Sequence, residues 1–300
     1  MRNSIIVVGS TNTDMVVRAD HIPVPGETLL GGMFFMNPGG KGANQAVAAA
    51  RLGGNVTFIC KTGVDAFGQE AIQLFKDEGI NTSFVISDTQ NPSGVALITV
   101  SKDAENSIVV APGANAALTT AEIKEALNII KQAAIVLIQL EIPLDVVAEV
   151  VSNAHENNVK VVLNPAPACK LPDDVLKCID IITPNETEAS ILTGVDVCDM
   201  ATAKQAALVL HEKGIQTVII TLGSKGALIF NDNKYDVVDA LKVEAKDTTA
   251  AGDVFNGALV VALTEGKNIY DSVAFACKAS AISVTRLGAQ SSAPYRNEIN

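Results

Sequence analysis

Six short apolar runs, rich in Val and Ile, alternate along this sequence with longer segments whose apolar residues recur at helical spacing. Each run is apolar throughout rather than at every second position, so both faces of its strand are predicted to be buried. The runs are SIIVVG (4–9), NVTFIC (55–60), AAIVLIQLE (133–141), VKVVLN (159–164), DIIT (180–183) and TVIITLG (217–223). The helical patterns cover 43–52, 67–78, 119–131, 144–157, 200–213 and 252–264. This alternation predicts an α/β fold, a mostly parallel doubly wound sheet with helices on both faces.

Two segments interrupt the alternation and predict β ribbons. The first, at about 15–36, contains the turn ProValProGly, and the second, at about 93–110, has SGVALITV and NSIVVA on either side of the turn SKDAE. We expect residues 1–300 to form a single domain in which the two ribbons pair as a small sheet beside the main one. That sheet would serve as a lid or as an association surface. Separate hairpins at the edges of the main sheet are the alternative that the pattern leaves open.

The composition argues against several classes of partner. A formal net charge of -11 gives the surface a field that repels phosphate backbones and anionic lipids, so neither nucleic acid nor a membrane is expected. Every apolar run falls well short of the roughly 20 residues that cross a bilayer. The five cysteines are scattered and never spaced CxxC, which predicts neither a disulfide framework nor a zinc site. We therefore expect a soluble, cytoplasmic protein.

Polar residues follow the apolar runs. Ligands bind outside the carboxyl ends of the strands in an open parallel sheet, so these residues are candidates for a site. SIIVVG leads to Asn12 and Asp14, VLIQL ends at Glu141, VKVVL ends at Asn164, and DIIT is followed by Asn185. Turn formation and helix capping are the alternative for the asparagines. A carboxylate such as Glu141 must instead stay solvated or find partners.

Two glycine-rich turns are candidates for contact with a ligand. The stretch NPGGKGANQAVAAARLGG (37–54) combines a bare backbone with Lys41 and Asn44, which lie one helical turn apart. It matches neither the P-loop, GxxxxGK followed by Ser or Thr, nor the dinucleotide motif GxGxxG, which disfavours a hydride-transfer enzyme. The stretch TLGSKGALIF (221–230) places Gly223 and Gly226 between two strands, either as a hairpin turn or as a loop against a nucleotide.

The stretch DTTAAGDVFNGALVVAL (247–263) places one carboxylate, Asp253, in the first turn of an apolar helix. Unpaired amides and the positive end of the helix dipole at Ala250, Ala251 and Gly252 favour an anion such as a phosphate. The dipole alone is enough to explain an acidic residue here. The functional interpretation is that Asp253 accepts a proton from a hydroxyl group while the neighbouring amides hold the phosphoryl group that this hydroxyl attacks.

Five motifs together resemble the ribokinase/PfkB family of carbohydrate kinases. They are GGKGANQAVAAARLG (39–53), NPAPA (164–168), NETEA (185–189), TLGSKG (221–226) and DTTAAGDVFNGAL (247–259). They occur in the family's order over essentially the whole chain. The resemblance implies a ribokinase-like fold and transfer of the γ-phosphoryl group of ATP to the 5-hydroxyl group of D-ribose. It further implies Mg²⁺, an activating K⁺ and a homodimer joined through the lid.

The resemblance also implies roles for the matching residues. Those implied to bind the sugar are Asn12, Asp14, Gly40, Lys41, Asn44, Glu141 and Asp253. Those implied in catalysis are Asp253 as general base and the amides of Ala250, Ala251 and Gly252. Those implied to bind ATP are Asn185, Thr221, Gly223, Gly226 and Gly252, with Asn185 and Glu188 near the magnesium ion. Those implied at the monovalent cation are Asp247, Thr249, Ser283, Arg286, Gly288 and Ser292. Many relatives carry Gly in place of Ala250, and we expect the added methyl group to leave the amides in place.

Other functions remain open. A kinase of the same family that acts on deoxyribose, another sugar or a nucleoside is possible, because the carboxylate of Asp14 would bind most vicinal hydroxyl groups. A noncatalytic sugar-binding sensor is the alternative from a different class. Asp253 and the NxxE pair Asn185 and Glu188 argue against a sensor, since neither is needed merely to bind a sugar.

Overall fold

The computed structural model describes residues 3–103 and 105–299. The predicted domain 1–300 and the predicted ribbon 93–110 also include residues 1, 2, 104 or 300, which lie outside the described residues. The strands of the described ranges are β1 (Ser4–Val8), β2 (Asn12–Arg18), β3 (Met33–Gly39), β4 (Asn55–Gly63), β5 (Asn81–Asp88), β6 (Gly94–Val100), β7 (Asn106–Ala111), β8 (Ile135–Ile138), β9 (Lys160–Leu163), β10 (Ile181–Ile182), β11 (Thr217–Thr221), β12 (Ala227–Asn231) and β13 (Lys234–Val238). The α-helices there are α1 (Lys41–Arg51), α2 (Ala66–Asp77), α3 (Leu127–Ile130), α4 (Leu144–Glu156), α5 (Asp173–Leu176), α6 (Glu186–Thr193), α7 (Met200–Glu212), α8 (Ala251–Thr264) and α9 (Ile269–Ser283).

Nine strands form the main sheet, in the order β13-β12-β11-β10-β9-β8-β1-β4-β5. The pairs from β11 to β5 are parallel, and only β12 and β13 join in antiparallel pairing. The run SIIVVG shows why its residues are all apolar. Ile5 and Val7 pack into a core with helices α1, α2, α8 and α9, whereas Ile6 and Val8 pack on the opposite face with helices that include α4 and α7. The predicted doubly wound sheet is therefore confirmed.

The second sheet has four strands in the order β3-β2-β6-β7. β2 pairs antiparallel with β3 and parallel with β6, so the two segments that interrupt the alternation do meet in one small sheet. It begins at Asn12, three residues before the predicted ribbon, because the chain runs from β1 into β2 after a short connection. We call strands β2, β3, β6 and β7 the small sheet.

Several elements differ from the sequence-based prediction. The segment 119–131 is α-helical only at Leu127–Ile130, since its hydrogen bonds before that point include i→i+3 bonds such as Glu122 to Thr119 and Lys124 to Ala121. Helices α6 and α9 lie where the periodicity predicted none. Their N-terminal caps are Asn185 and Asn268, whose side chains each accept a hydrogen bond from a backbone amide in the first helical turn.

None of the helices in the described ranges combines the length and the apolar character needed to span a lipid bilayer.

Candidate active site

The order of the strands reverses between β1 and β8. β4 and β5 lie on one side of β1, and β8 to β11 lie on the other. Open α/β sheets bind ligands at such switch points. A cavity of about 500 Å³ opens at this point, and its walls include Ser10, Asn12 and Glu141 together with the apolar Val110 and Leu140.

Helix α1 approaches the carboxyl end of β1 unusually closely. Gly40 precedes the helix with φ of 87°, a left-handed conformation that favours glycine. A β carbon there would lie 2.7 Å from the amide nitrogen of Asn12, and one at Gly42 would lie 2.6 Å from that of Ser10. The glycines of the GGKGAN turn are therefore required by close backbone packing.

Glu141 and Lys41 meet at the start of α1. The Glu141 Oε2 atom accepts hydrogen bonds from the Ser10 hydroxyl group at 2.5 Å and from the Lys41 backbone amide at 3.1 Å. Glu141 thus supplies the N-terminal cap that Gly40 lacks. Burial would lower the pKa of the Lys41 side chain, but nearby carboxylates outweigh it and the pKa is raised, so this lysine stays charged. Those carboxylates are Asp253, Glu141, Glu188 and Asp14.

Asp14 lies on β2 of the small sheet and is close to the charges of Glu141, Asp253 and Lys41. Burial first, and then the negative charges of Glu141 and Asp253, raise the pKa of Asp14 to about 6, while Lys41 acts in the opposite sense. The cost of burying this carboxylate is a reason to expect that it binds something.

Asn12 is held by a residue that the sequence pattern did not indicate. The Asn115 side chain donates to Asn12 Oδ1 at 2.8 Å and to the Thr11 carbonyl at 2.9 Å, and its own oxygen accepts from the Thr11 amide at 2.9 Å. Asn115 is buried in the three-ten helix that follows β7. No sequence motif marks it, because its partner lies 103 residues away.

Asp253 is in the first turn of α8 and is 7% exposed. Its Oδ2 atom accepts from the Asn44 side-chain amide at 2.9 Å, and its Oδ1 atom accepts from the Gln45 side-chain amide at 2.9 Å. Burial raises the pKa of Asp253, while Lys41, Asn44 and Gln45 act in the opposite sense. The carboxylate is therefore desolvated and oriented, as a general base requires.

The start of α8 is strained. Ala250 precedes the helix with φ of 58°, in the left-handed region that disfavours a β carbon. The amide of Ala251 donates to Thr248 and that of Val254 to Ala250, whereas within the described ranges the amides of Gly252 and Asp253 have no acceptor. These two donors at the positive end of the helix suit an anion.

A second cavity, of about 650 Å³, lies at the start of α8 and is large enough for a nucleotide. Its walls include the predicted residues Asn185, Thr221, Gly223, Gly226, Ala251 and Gly252. The Thr221 amide donates to the Pro184 carbonyl at 2.9 Å, which joins the NETEA and TLGSKG motifs. The cavity therefore brings the predicted ATP residues together.

Part of this cavity was not predicted from the sequence. Leu241, Val243, Phe255, Cys277 and Ala281 give it an apolar wall suited to a flat ring. Leu241 and Val243 are 50% and 44% exposed. The signal available in the sequence was the alternation of apolar and charged residues in ALKVEA (240–245).

Asn185 and Glu188 bind each other in the structure. The Asn185 side chain accepts from the Glu188 amide at 2.8 Å, and Glu188 Oε2 accepts from the Asn185 amide at 2.9 Å. This reciprocal capping box explains both residues as a helix cap, without a magnesium ion. Burial raises the pKa of Glu188. Within the described ranges no three acidic, His or Cys side chains form a metal cluster.

The predicted monovalent-cation residues are only partly gathered. Asp247 accepts from the amides of Thr249 and Gly288, each at 2.9 Å, which brings three of the six together. Arg286 instead forms an ion pair with Glu298. The Ser283 and Ser292 hydroxyl groups donate to the carbonyls of Ser280 and Ala289. Both serines use their hydrogens locally, which leaves their oxygen lone pairs, together with Asp247 and backbone carbonyls, as the available ligands for an ion here.

The family model for pfkB family carbohydrate kinases matches residues 2–296. The chain belongs to the pfkB family. It is 49% identical over 298 residues to a ribokinase from Haemophilus influenzae, covering 99% of this chain and 97% of the relative. It is 37% identical over 297 residues to a deoxyribokinase from Salmonella typhimurium, with 99% and 97% covered. Among solved pfkB-like structures, that of Arabidopsis thaliana ribokinase complexed with ribose and ATP has a TM-score of 0.94 and 34% identity, covering 100% of this chain and 98% of that one.

Proposed function

We propose that this protein transfers the γ-phosphoryl group of ATP to the 5-hydroxyl group of D-ribose, giving D-ribose 5-phosphate and ADP. The observation that carries the proposal is the position of Asp253. It is a buried, oriented carboxylate beside two amides without acceptors in the described ranges. Its neighbours Ala251 and Gly252 line the larger cavity, and Glu141, whose charge acts on Asp253, lines the smaller one. The similarity to ribokinases over almost the full chain supports ribose as the acceptor.

The sugar is proposed to bind at the smaller cavity, which Asn12 and Glu141 line, and to extend toward five predicted residues that do not line it, Asp14, Gly40, Lys41, Asn44 and Asp253. One buried atom among them lacks a partner within the described ranges: the Oδ1 atom of Asn44, a residue 7% exposed. A buried acceptor without a donor is costly, and a sugar hydroxyl group would supply the donor. Asp14 and Glu141 each retain acceptor capacity for further hydroxyl groups.

The larger cavity is proposed to bind ATP, with Asn185, Thr221, Gly223 and Gly226 along one side and the amides of the α8 start at the phosphates. Asn185 and Glu188 would hold the hydration shell of Mg²⁺, which neutralises charge on the phosphates when bound. We propose that K⁺ binds near Asp247, Thr249, Ser283, Arg286, Gly288 and Ser292 and activates the enzyme.

The chain's own residues define the reaction steps. Asp253 accepts the proton of the 5-hydroxyl group as its oxygen attacks. The amides of Gly252 and Asp253, which have no acceptor in the described ranges, and that of Ala250 stabilise the negative charge that develops on the transferred group, and the Ala251 amide joins them when it releases the Thr248 carbonyl. Lys41 balances the cluster of carboxylates and lies on the sugar side. The small sheet would cover the sugar and exclude water, which would otherwise compete as acceptor.

We further propose a homodimer joined through the outward face of the small sheet. Side chains alternate along these strands, so that Asp14 faces the site while Val17, Phe34, Met36, Leu97 and Val109 lie on the other face. These five are between 37% and 63% exposed. A second copy would cover this apolar patch, and the five unpaired cysteines are consistent with a reducing cytoplasmic location.

A coupled ADP-release assay with ribose, deoxyribose, fructose and adenosine tests the acceptor. We expect ribose to give the highest kcat/KM. Faster turnover of deoxyribose would reassign the substrate within the family, and binding of ribose without ADP release would favour the sensor. Adding K⁺ to a Tris buffer should raise the ribose rate, and an unchanged rate would reject the cation proposal.

A further inference from the structure

Gln45 lies in the second turn of α1, the helix that carries the predicted sugar-binding residues Lys41 and Asn44. It is fully buried and contacts Asp253 directly. Its Nε2 atom donates to Asp253 Oδ1 at 2.9 Å and to Asn164 Oδ1 at 2.9 Å. Its Oε1 atom accepts from Gln139 Nε2 at 2.6 Å. Gln139 lies just beyond β8 and is also fully buried. Three side-chain amides thus converge behind the proposed base.

The two residues at the ends of this cluster, Asn164 and Asp253, determine which group donates and which accepts in each hydrogen bond. The Asn164 amide nitrogen donates to the Thr183 carbonyl at 3.2 Å, so the Asn164 oxygen faces Gln45. The Asp253 carboxylate, when charged, can only accept. The amide nitrogen of Gln45 therefore faces two acceptors, and its oxygen must face the amide nitrogen of Gln139.

The position of Gln139 depends on a small neighbour. Within the described ranges its Oε1 atom is buried without a donor. A β carbon added at Gly9 would overlap this same oxygen. Gly9 therefore leaves the space in which Gln139 can hold the Gln45 amide.

We propose that Gln45, oriented by Gln139, is a positioning residue that fixes the Asp253 carboxylate and favours its charged form. The inference rests on the proposed phosphoryl transfer, in which Asp253 must be unprotonated before the hydroxyl group attacks. The bond has a second consequence. Since Gln45 offers only a donor to Oδ1, it stabilises the carboxylate more than the neutral acid, which keeps the base ready despite its burial.

Other charges face Asp253 as well. Lys41 on α1 favours the carboxylate, whereas Glu141 beyond β8, Asp14 on β2 and Glu188 on α6 oppose it. Asn44 donates to the other carboxylate oxygen. Gln45 differs from all of these because it is fully buried behind the base. It also lines neither cavity. Its removal should therefore change Asp253 without removing a sugar or nucleotide contact.

The test compares Gln45→Met and Gln139→Met, which keep side-chain length and remove the amide, with Val260→Ala. Val260 lies two turns beyond Asp253 on α8 and is fully buried, so it controls for loss of packing. For Gln45→Met we expect the acid limb of the kcat profile to move up by about one to two pH units, as loss of a hydrogen bond to a charged group implies. KM for ribose and ATP should change less than about twofold. Gln139→Met should shift the limb in the same direction but less, and Val260→Ala should not shift it.

A second readout needs no turnover. The infrared band of the protonated Asp253 carboxyl group, isolated by subtracting the spectrum of Asp253→Asn in each background, is titrated without substrate. We expect protonation at higher pH in both glutamine variants. An unshifted titration in Gln139→Met and in any folded Gln45→Met would overturn the proposal, as would an equal shift in Val260→Ala. If the shift appears but the wild type phosphorylates none of the sugars, the proposed function fails while the contact between Gln45 and Asp253 stands.

Discussion

The main sheet, mostly parallel, and the small sheet, mostly antiparallel, differ in what covers their faces. Every residue of β8 is buried, with helices on both sides, whereas every residue of β7 is exposed. Asp253 is held by the elements of the main sheet, and Asp14 by the small sheet. We infer that Asp253 is held in position before any ligand binds. The position of Asp14 depends instead on whether the small sheet contacts the sugar or a second copy of the chain.

The largest expected effect tests the half of the site that the main sheet supports. Asp253→Asn should lower kcat by about a thousandfold, because general base catalysis contributes on that order, while ribose and ATP still bind in calorimetry. The matched control is Asp271→Asn, which alters an exposed carboxylate in the first turn of α9 and should leave kcat unchanged. Turnover of Asp253→Asn within about tenfold of the wild type would remove Asp253 as base.

The same substitution, Leu to Ala, should lower the free energy of unfolding more in the main sheet than in the small sheet. Leu137→Ala on β8, where the side chain is fully buried, should lower the free energy of unfolding in urea by about 3 kcal/mol. Leu97→Ala on β6, where Leu97 is 53% exposed, should cost less than about 1 kcal/mol in dilute protein.

The same pair tests the proposed dimer. Light scattering should give a dimer mass for the wild type, and Leu97→Ala should weaken it, so that its stability deficit grows with protein concentration. Leu137→Ala should keep the dimer mass. A monomeric mass for the wild type at working concentration would count against pairing through the small sheet.

The third prediction concerns Asp14 and pH. With a pKa raised to about 6, Asp14 should bind sugar hydroxyl groups fully only above that pH, so ribose affinity by calorimetry should rise as pH increases from 5 to 7. The effect on stability has the opposite sign. The folded protein holds this proton more tightly than the unfolded chain, so the contribution to stability is present at low pH and is lost as pH rises through about 6.

Asp14→Asn controls for this titration. It should weaken ribose binding and remove the dependence near pH 6, while the pH dependence that originates at Asp253 remains. Ribose affinity that stays flat between pH 5 and 7 in the wild type would contradict the assigned role.

The smallest effect is expected at the start of α8. Ala250→Gly should raise the free energy of unfolding by about 1 kcal/mol, because glycine adopts the left-handed conformation without a β-carbon clash. Ala251→Gly, one residue into the helix, should not raise it. Thermal unfolding at pH 7 compares the two, and a lower melting temperature for Ala250→Gly would show that the methyl group contributes packing that outweighs the strain.

Much of the fold was predictable because its signals are local. Runs such as SIIVVG are apolar along their length, which indicates burial on both faces. The segment 119–131 was predicted wrongly as one helix. Its apolar spacing is helical, but Glu122 bonds to Thr119 and to the buried Lys61, and tight turns replace the first helical turns.

The candidate site was predictable only as a set of positions. Asn12, Glu141 and Asp253 lie at strand or helix ends, where ligands bind in open α/β sheets. Asn115, Gln45 and Gln139 carry no such mark. Asn115 bonds to Asn12, Gln45 to Asp253 and Gln139 to Gln45, and each pair is about 100 or more residues apart in the sequence. Contacts at such separations produce no periodic pattern in the sequence.

The sequence by itself determined the layered α/β architecture, the two ribbon segments outside it and the motifs of the pfkB family, because hydrophobic period, turn residues and family motifs act over a few residues at a time. Only the tertiary structure decided that Ala250 is strained, that Asn185 and Glu188 cap one helix together, and that three buried amides stand behind Asp253. Those features arise where distant segments meet in an environment of low dielectric, in which each hydrogen bond and each charge depends on neighbours that the linear order does not reveal.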